Sequence, residues 1–258
     1  MLDWLELLTS AATTSGWVIV SAAVVLAGFI RGFLGFGASL ILVMVMSAIF
    51  GPLAAVPVAG LAGLPATFQL LPDAIRLSDR SFVWPFALAT FCAAPFGVWV
   101  LVMAEPTVMK IAISVFVLGM VVMMHRDWRI AGGDGPGMLL GIGAIAGLAQ
   151  GVAGVGGPPA VAAALSRPGS AHQQRANVIG VVTSLALCSL LPFWYNGLYT
   201  KQVLIIGLVL TPIYAAASWA GARYFSAGGN QHYRNAALLT LAVIGVITLA
   251  RAVLEYLA

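Results

Sequence analysis

Charge is what this chain has least of. Only twelve Lys and Arg and eight Asp and Glu side chains are spread over 258 residues, 8% of the total. A soluble domain of this size cannot cover itself with so few, because it would also have to hide several apolar runs of about twenty residues, each long enough to span a bilayer. The eight acids, Asp3, Glu6, Asp73, Asp79, Glu105, Asp127, Asp134 and Glu255, all fall at segment ends, in loops or on the last helix. No apolar segment therefore carries a carboxylate able to relay protons through its core. Cysteine is nearly absent: Cys92 and Cys188 each lie inside an apolar segment without metal-like spacing, which argues against a disulfide framework or a zinc site. His125, His172 and His232 fall in predicted loops with no HExxH-type spacing, and no serine occupies a G-x-S-x-G turn beside a credible histidine. The chain thus reads as a non-enzyme needing no metal or other cofactor. The net charge of +4 does not indicate nucleic acid, because the basic residues are scattered singly instead of lining one face. The N-terminus lacks the basic cluster of a secretory signal and carries Asp3 and Glu6 instead, so residues 1–16 are read as a retained interfacial segment.

What is there is apolar: 61% of residues are hydrophobic and the mean hydropathy is +1.03. The expected fold class is an all-α polytopic membrane protein. Apolar segments fall near 17–50, 52–72, 81–103 and 107–125, then near 138–166, 176–195, 202–222 and 235–257. The two sets of four meet at the Gly- and Asp-rich stretch 131–137, which divides the chain into 17–130 and 131–258.

The two sets are related. AGFIRGFLGFG at 27–37 aligns without gaps on AGLAQGVAGVG at 146–156. Weaker landmarks follow in the same order: Leu70-Leu71-Pro72 against Leu190-Leu191-Pro192, Arg80 against Lys201, Gly97 against Gly221, and Lys110 against Arg234. A duplication explains that order. If each Gly-interrupted segment enters and leaves on one face, the loops with Arg76 and Arg80, Arg126 and Arg129, Arg167 and Arg175, and Arg223 and Arg234 share a side, with Lys110 and Lys201 opposite. Length points the same way, since a helix from Trp17 to Ile30 is about 21 Å long and a bilayer core about 30 Å thick. The expectation is two inverted-topology repeats, each a re-entrant or broken Gly-rich helical hairpin followed by about three transmembrane helices, with the N-terminus on the non-cytoplasmic side. Broken helices that span, giving eight crossings, are the alternative.

A helix that breaks inside a membrane restarts with unpaired N–H groups and the positive end of its dipole, both of which favour an anion. Gly35, Phe36, Gly37, Ala38 and Ser39 would supply such donors in the first half, and Gly154, Val155, Gly156 and Gly157 in the second, with Pro158 suited to a first helical position. Arg31 is a central cation with no acid near it in sequence, and its repeat-equivalent Gln150 is neutral. A substrate anion would neutralise Arg31; snorkelling to a surface or capping of backbone carbonyls is the competing role. Gln69, Asn177, Thr183 and Ser184 are polar residues placed to line a path, and Thr67, Thr90, Thr211, Tyr214 and Ser218 are weaker instances, since Ser and Thr commonly bond their own helix.

The paired turns RGFLGFGAS and QGVAGVGGPP, each opening a helix in one half of a duplicated chain, resemble those of the TauE/SafE family of sulfite and organosulfonate exporters. The resemblance covers nearly the whole chain. It implies a bacterial inner-membrane carrier for a small sulfur-containing anion, such as sulfite or sulfoacetate, with the lipid bilayer as its other partner. With the cell interior negative, an anion leaves without a coupling ion, at about 2.3 kcal/mol per charge per 100 mV. An anion channel, an importer and a membrane scaffold subunit are the competing functions, and the sequence leaves monomer and homodimer equally open.

Overall fold

In the computed structural model of this chain, residues 13–103 and 135–226 are described. The segments expected at 107–125 and 235–257, most of the junction 131–137, and residues 1–12 of the interfacial segment lie outside them. Every element among the described residues is helical: α1 (Thr14–Leu34), α2 (Ala38–Phe50), α3 (Pro52–Leu77), α4 (Arg80–Met103), α5 (Pro136–Ala153), α6 (Gly157–Ser166), α7 (Ala171–Cys188), α8 (Leu190–Tyr195) and α9 (Lys201–Ser226). Five stretches are long and apolar enough to cross a membrane: α1, Leu53–Leu77, α4, Ala171–Tyr195 and α9. The chain is an all-α polytopic membrane protein. Many large apolar side chains point away from the described core, among them Trp84, Leu88, Phe96, Trp99, Trp194 and Leu208. A protein whose solvent is lipid has that pattern.

Local chemistry sets the helix ends. Thr13 accepts from the Gly16 N–H at 3.2 Å and caps α1, and Ser170 does the same for α7 through the Gln173 N–H at 3.3 Å. At its other end α1 stops because Gly35 turns left-handed (φ 86°) and donates its N–H to the Arg31 carbonyl at 2.8 Å. Gly154 (φ 67°) ends α5 identically, through the Gln150 carbonyl at 2.8 Å. The first helix runs on past Ile30 to Leu34, a length of about 31 Å. So length is not what turns the chain back, contrary to the expectation; the glycine turn is. Fold-back is visible at the open end of the pair, where the Trp17 and Phe50 rings lie 5.5 Å apart. The start of α1 and the end of α2 therefore share one end of the bundle.

Glycines dictate how the helices meet. A methyl group placed on Gly28 would lie 2.8 Å from the Tyr214 carbonyl oxygen, and one on Gly32 would lie 2.7 Å from the Ser218 carbonyl carbon and 2.9 Å from the Ala222 nitrogen. Four residues along α1 match four residues along α9, so these helices run in the same direction. The pair α4 and α5 repeats the arrangement: Gly143 faces Phe86 and Ala89, Gly147 faces Thr90 and Ala93, and Gly151 faces Ala94 and Val98. Gly97 and Gly221, aligned in sequence, do equivalent work, Gly97 against Leu148 and Gly151 of α5 and Gly221 against Phe29 and Phe33 of α1. Close backbone approach of this kind is how helices associate where lipid supplies no hydrophobic drive.

One end of the bundle is tied by charge. Arg167 donates to Asp79 at 2.8 Å, and Asp79 also accepts from the Ser81 hydroxyl at 2.6 Å and the Ser81 N–H at 2.9 Å. The Ser81 hydroxyl foremost, then its N–H and Arg167, hold the Asp79 carboxyl below its ordinary value of 3.8. The Asp79 N–H in turn donates to the Asn177 side chain at 2.7 Å, joining the α3–α4 turn to α7.

Two measurements follow from this packing. Gly32→Ala should lower stability by about 1–3 kcal/mol, since the methyl meets backbone that cannot yield; Gly141→Ala, with nothing within 4 Å of the new methyl, should change it by less than about 1 kcal/mol. Thermal unfolding in detergent compares them. Because the carboxyl of Asp79 is depressed, its contribution is fully present above about pH 3.8 and is lost as pH falls through its lower folded value. Acidification from pH 5 to 3 should therefore lower the melting temperature of the parent more than that of Asp79→Asn.

Candidate functional site

Both glycine turns reach the same cavity. It measures about 70 Å³, room for about five water molecules or one small anion. From the first hairpin come Arg31, Phe36, Gly37, Ala38 and Ser39, and from the second Gln150, Gly154 and Gly157. The tips pass one another: Phe33, Leu34 and Phe36 pack into a cluster with Leu139, Ala146 and Ala160 of the second hairpin, while Val155 packs on Leu40 of the first. Eight of the twelve residues read from the sequence as ligands thus line one space. The other four do not. Gly35 is the left-handed cap of α1, Val155 is a packing residue, Gly156 is pressed against the Ala146 carbonyl and Gln150, and Pro158 is buried beside them without lining the cavity.

The donors divide into used and free. Gly35 and Gly154 give their N–H groups to the helices they terminate. The Gln150 side-chain oxygen accepts from the Gly156 N–H at 3.2 Å and so shapes its own turn. Arg31 is 5% exposed, donates to the Gly35 carbonyl, and has no carboxylate within ion-pair distance among the described residues. One bond to a carbonyl is the capping role weighed from sequence. It occupies one of five guanidinium donors, and Arg31 is among the residues that line the cavity.

A second buried cation supports the first break from behind. Arg175, 4% exposed, donates to the Phe33 carbonyl at 3.1 Å and to the Gly32 carbonyl at 2.6 Å, lies 3.5 Å from Asp73, and stacks 4.2 Å from the centre of the Phe225 ring. These are the carbonyls that the end of α1 leaves without a helical partner. Sequence alone placed Arg175 in a loop, as part of the topology count; the structure puts it inside α7.

The four residues favoured as path-lining are elsewhere. Gln69 is exposed among the described residues, Asn177 holds the Asp79 N–H, the Ser184 hydroxyl donates to the Val181 carbonyl at 2.7 Å, and the Thr183 hydroxyl is buried without a partner. Thr90 and Thr211 also bond their own helices. A wall that sequence reasoning mostly missed is α3: Val56, Ala59, Gly60 and Gly63 line the cavity in line with Thr67, the one residue of the stripe it had named. Their spacing of three to four residues was the legible signal, a helix stripe of mostly small side chains. Thr67 and Tyr214, two of the weaker polar candidates, also line it, and Val182, Leu185 and Ala186 of α7 add a further apolar wall.

The family model for sulfite exporter TauE/SafE matches residues 20–248. The chain belongs to the TauE/SafE family. No significant match was found among curated proteins or among solved structures. TauE/SafE proteins are membrane transporters of the sulfite and organosulfonate exporter type, not enzymes, and a cavity deep in a polytopic bundle suits that class. Among the described residues no group of three or more His, Cys, Asp and Glu side chains is placed to hold a metal ion.

Arg175→Lys tests the support behind the site. An ammonium cannot bond two carbonyls and stack on Phe225 at once, so detergent-solubilised protein should lose about 1.5–3 kcal/mol of stability.

Proposed function

We propose that this transporter exports a small sulfur-containing anion, sulfite or an organosulfonate such as sulfoacetate, and holds it between its two glycine-rich helix breaks. The observation that carries the reading is the meeting of both breaks in one cavity beside Arg31, a buried cation that no carboxylate neutralises among the described residues. The N–H groups at the start of α2 and the positive end of that helix add to the same field. Gln150 contributes polarity without charge, so the site carries a single guanidinium along its wall.

The hairpins are proposed to enter from opposite faces of a bacterial inner membrane, with the N-terminus outside the cytoplasm. What supports this is the pair of matching glycine breaks, with α1 folding back into α2 at the first, and the parallel contacts of α1 with α9 and of α4 with α5, which repeat one arrangement in the two halves. Outward movement follows from charge: each negative charge leaving a cell at 100 mV is favoured by about 2.3 kcal/mol, roughly a fifty-fold gradient at equilibrium.

Proteoliposomes loaded with sulfite provide the test. Efflux should saturate, show counterflow, and rise when the lumen is made negative; Arg31→Gln should abolish it while leaving the protein folded. Conductance without saturation would mean a channel instead, and flux indifferent to an imposed potential would remove the argument for export.

A further inference from the structure

Once the committed groups are removed, the polar inventory of the cavity is short. The Thr67 hydroxyl donates to the Gly63 carbonyl at 3.1 Å, and Gly35, Gly154 and the Gln150 oxygen are engaged as described. What remains is the free part of Arg31, the Ser39 hydroxyl, the backbone N–H groups of the first turn of α2, and Tyr214 on α9.

Tyr214 is the anomaly. It is 2% exposed and packed in the apolar core, yet it lines the cavity, and its hydroxyl makes no hydrogen bond among the described residues without being one of their fully enclosed partnerless oxygens. Phenylalanine would fill the same space without placing a polar oxygen there, and tyrosine hydroxyls in a core normally find a partner. The space is kept open on one side by Gly63, where even an added methyl would remain 3.8 Å from the oxygen. Tyr214 and Arg31 line the same cavity. The alignment that pairs Gly97 with Gly221 pairs Thr90 with Tyr214, and Thr90 gives its hydroxyl to the Ala87 carbonyl at 2.7 Å. Arg31 and Gln150 form the other unequal pair. Both chemically richer members, Arg31 and Tyr214, belong to the α1–α9 contact and open on the same space.

We infer that the Tyr214 hydroxyl is a second side-chain ligand, donating to an oxygen of the anion bound beside Arg31, and that it favours a three-oxygen head over a carboxylate. This rests on the anion-binding reading above. Donors then arrive from α1, from the start of α2 and from α9, three elements around one cavity. A pyramidal sulfite or sulfonate head offers a separate oxygen to each, whereas a planar carboxylate has to share one of its two oxygens between two donors that approach from different directions.

Methanesulfonate and acetate, matched in their carbon group, are titrated into the purified full-length protein, into Tyr214→Phe and into Arg31→Gln. Tyr214→Phe should weaken methanesulfonate about ten-fold or more and acetate much less, with an unliganded melting temperature close to that of the parent. Arg31→Gln should lose both. Parent-like methanesulfonate affinity in Tyr214→Phe, with Arg31→Gln still deficient, would overturn the assignment of Tyr214 and leave the anion site standing. An equal loss for the two anions would overturn its part in selectivity. A large drop in the unliganded melting temperature would show that the hydroxyl has a structural partner, ending the proposal. A parent that binds neither anion would end the anion-binding reading along with it.

Discussion

A backbone that leaves its helix inside lipid exposes N–H and C=O groups that have no water to meet, at several kcal/mol each. Everything distinctive about this protein follows from how two such interruptions are made tolerable. The left-handed glycine at each break returns its N–H to the carbonyl four residues earlier, so the first orphan is removed before any neighbour is involved. The carbonyls still unpaired at the end of α1 go to Arg175 from α7 and to Arg31 from α1 itself. At the second break Gln150 suffices, reaching forward to the Gly156 N–H. Two arginines serve the first interruption and a neutral amide the second, which leaves a positive field at one of the two breaks only.

That inequality matters for function. The glycine scaffold is held in common by the two halves, down to Gly97 and Gly221 at matching helix crossings. The chemistry is not. Arg31 stands where the other half has Gln150, so the frame supplies geometry twice while the charge is supplied once. For a carrier of small anions this balance is sensible: one cation attracts the solute, and a second in the same wall would slow its departure.

The fold was readable because its signals are local and repeated. Composition gave the membrane class, and the glycine spacing located both breaks to within a residue or two, since few other residues adopt the left-handed turn that stops a helix. Eight proposed ligands did reach one cavity, because a helix break forces its neighbours to share a space. The failures have a common cause. Gly35 and Gly154 appeared as donors, yet the act of breaking the helix consumes their N–H groups. Asn177 and Arg175 seemed to belong to a path and a loop; each instead meets backbone far away in sequence, at Asp79 and at Gly32 and Phe33. Pairings of that kind leave no periodic trace. The α3 wall had one, in the stripe from Val56 to Thr67, but its small apolar residues carry no chemistry to attract notice.

The tight seams between α1 and α9 and between α4 and α5 join a hairpin of one half to the last described helix of the other. With carbonyls and amides nearly touching across them, neither seam can slide without repacking its whole length. Any rocking that exposes the cavity alternately to the two aqueous compartments must therefore carry the first hairpin together with α9, and the second together with α4. Each moving body then draws elements from both halves of the chain, and the boundary between the bodies does not follow the junction at 131–137 in sequence.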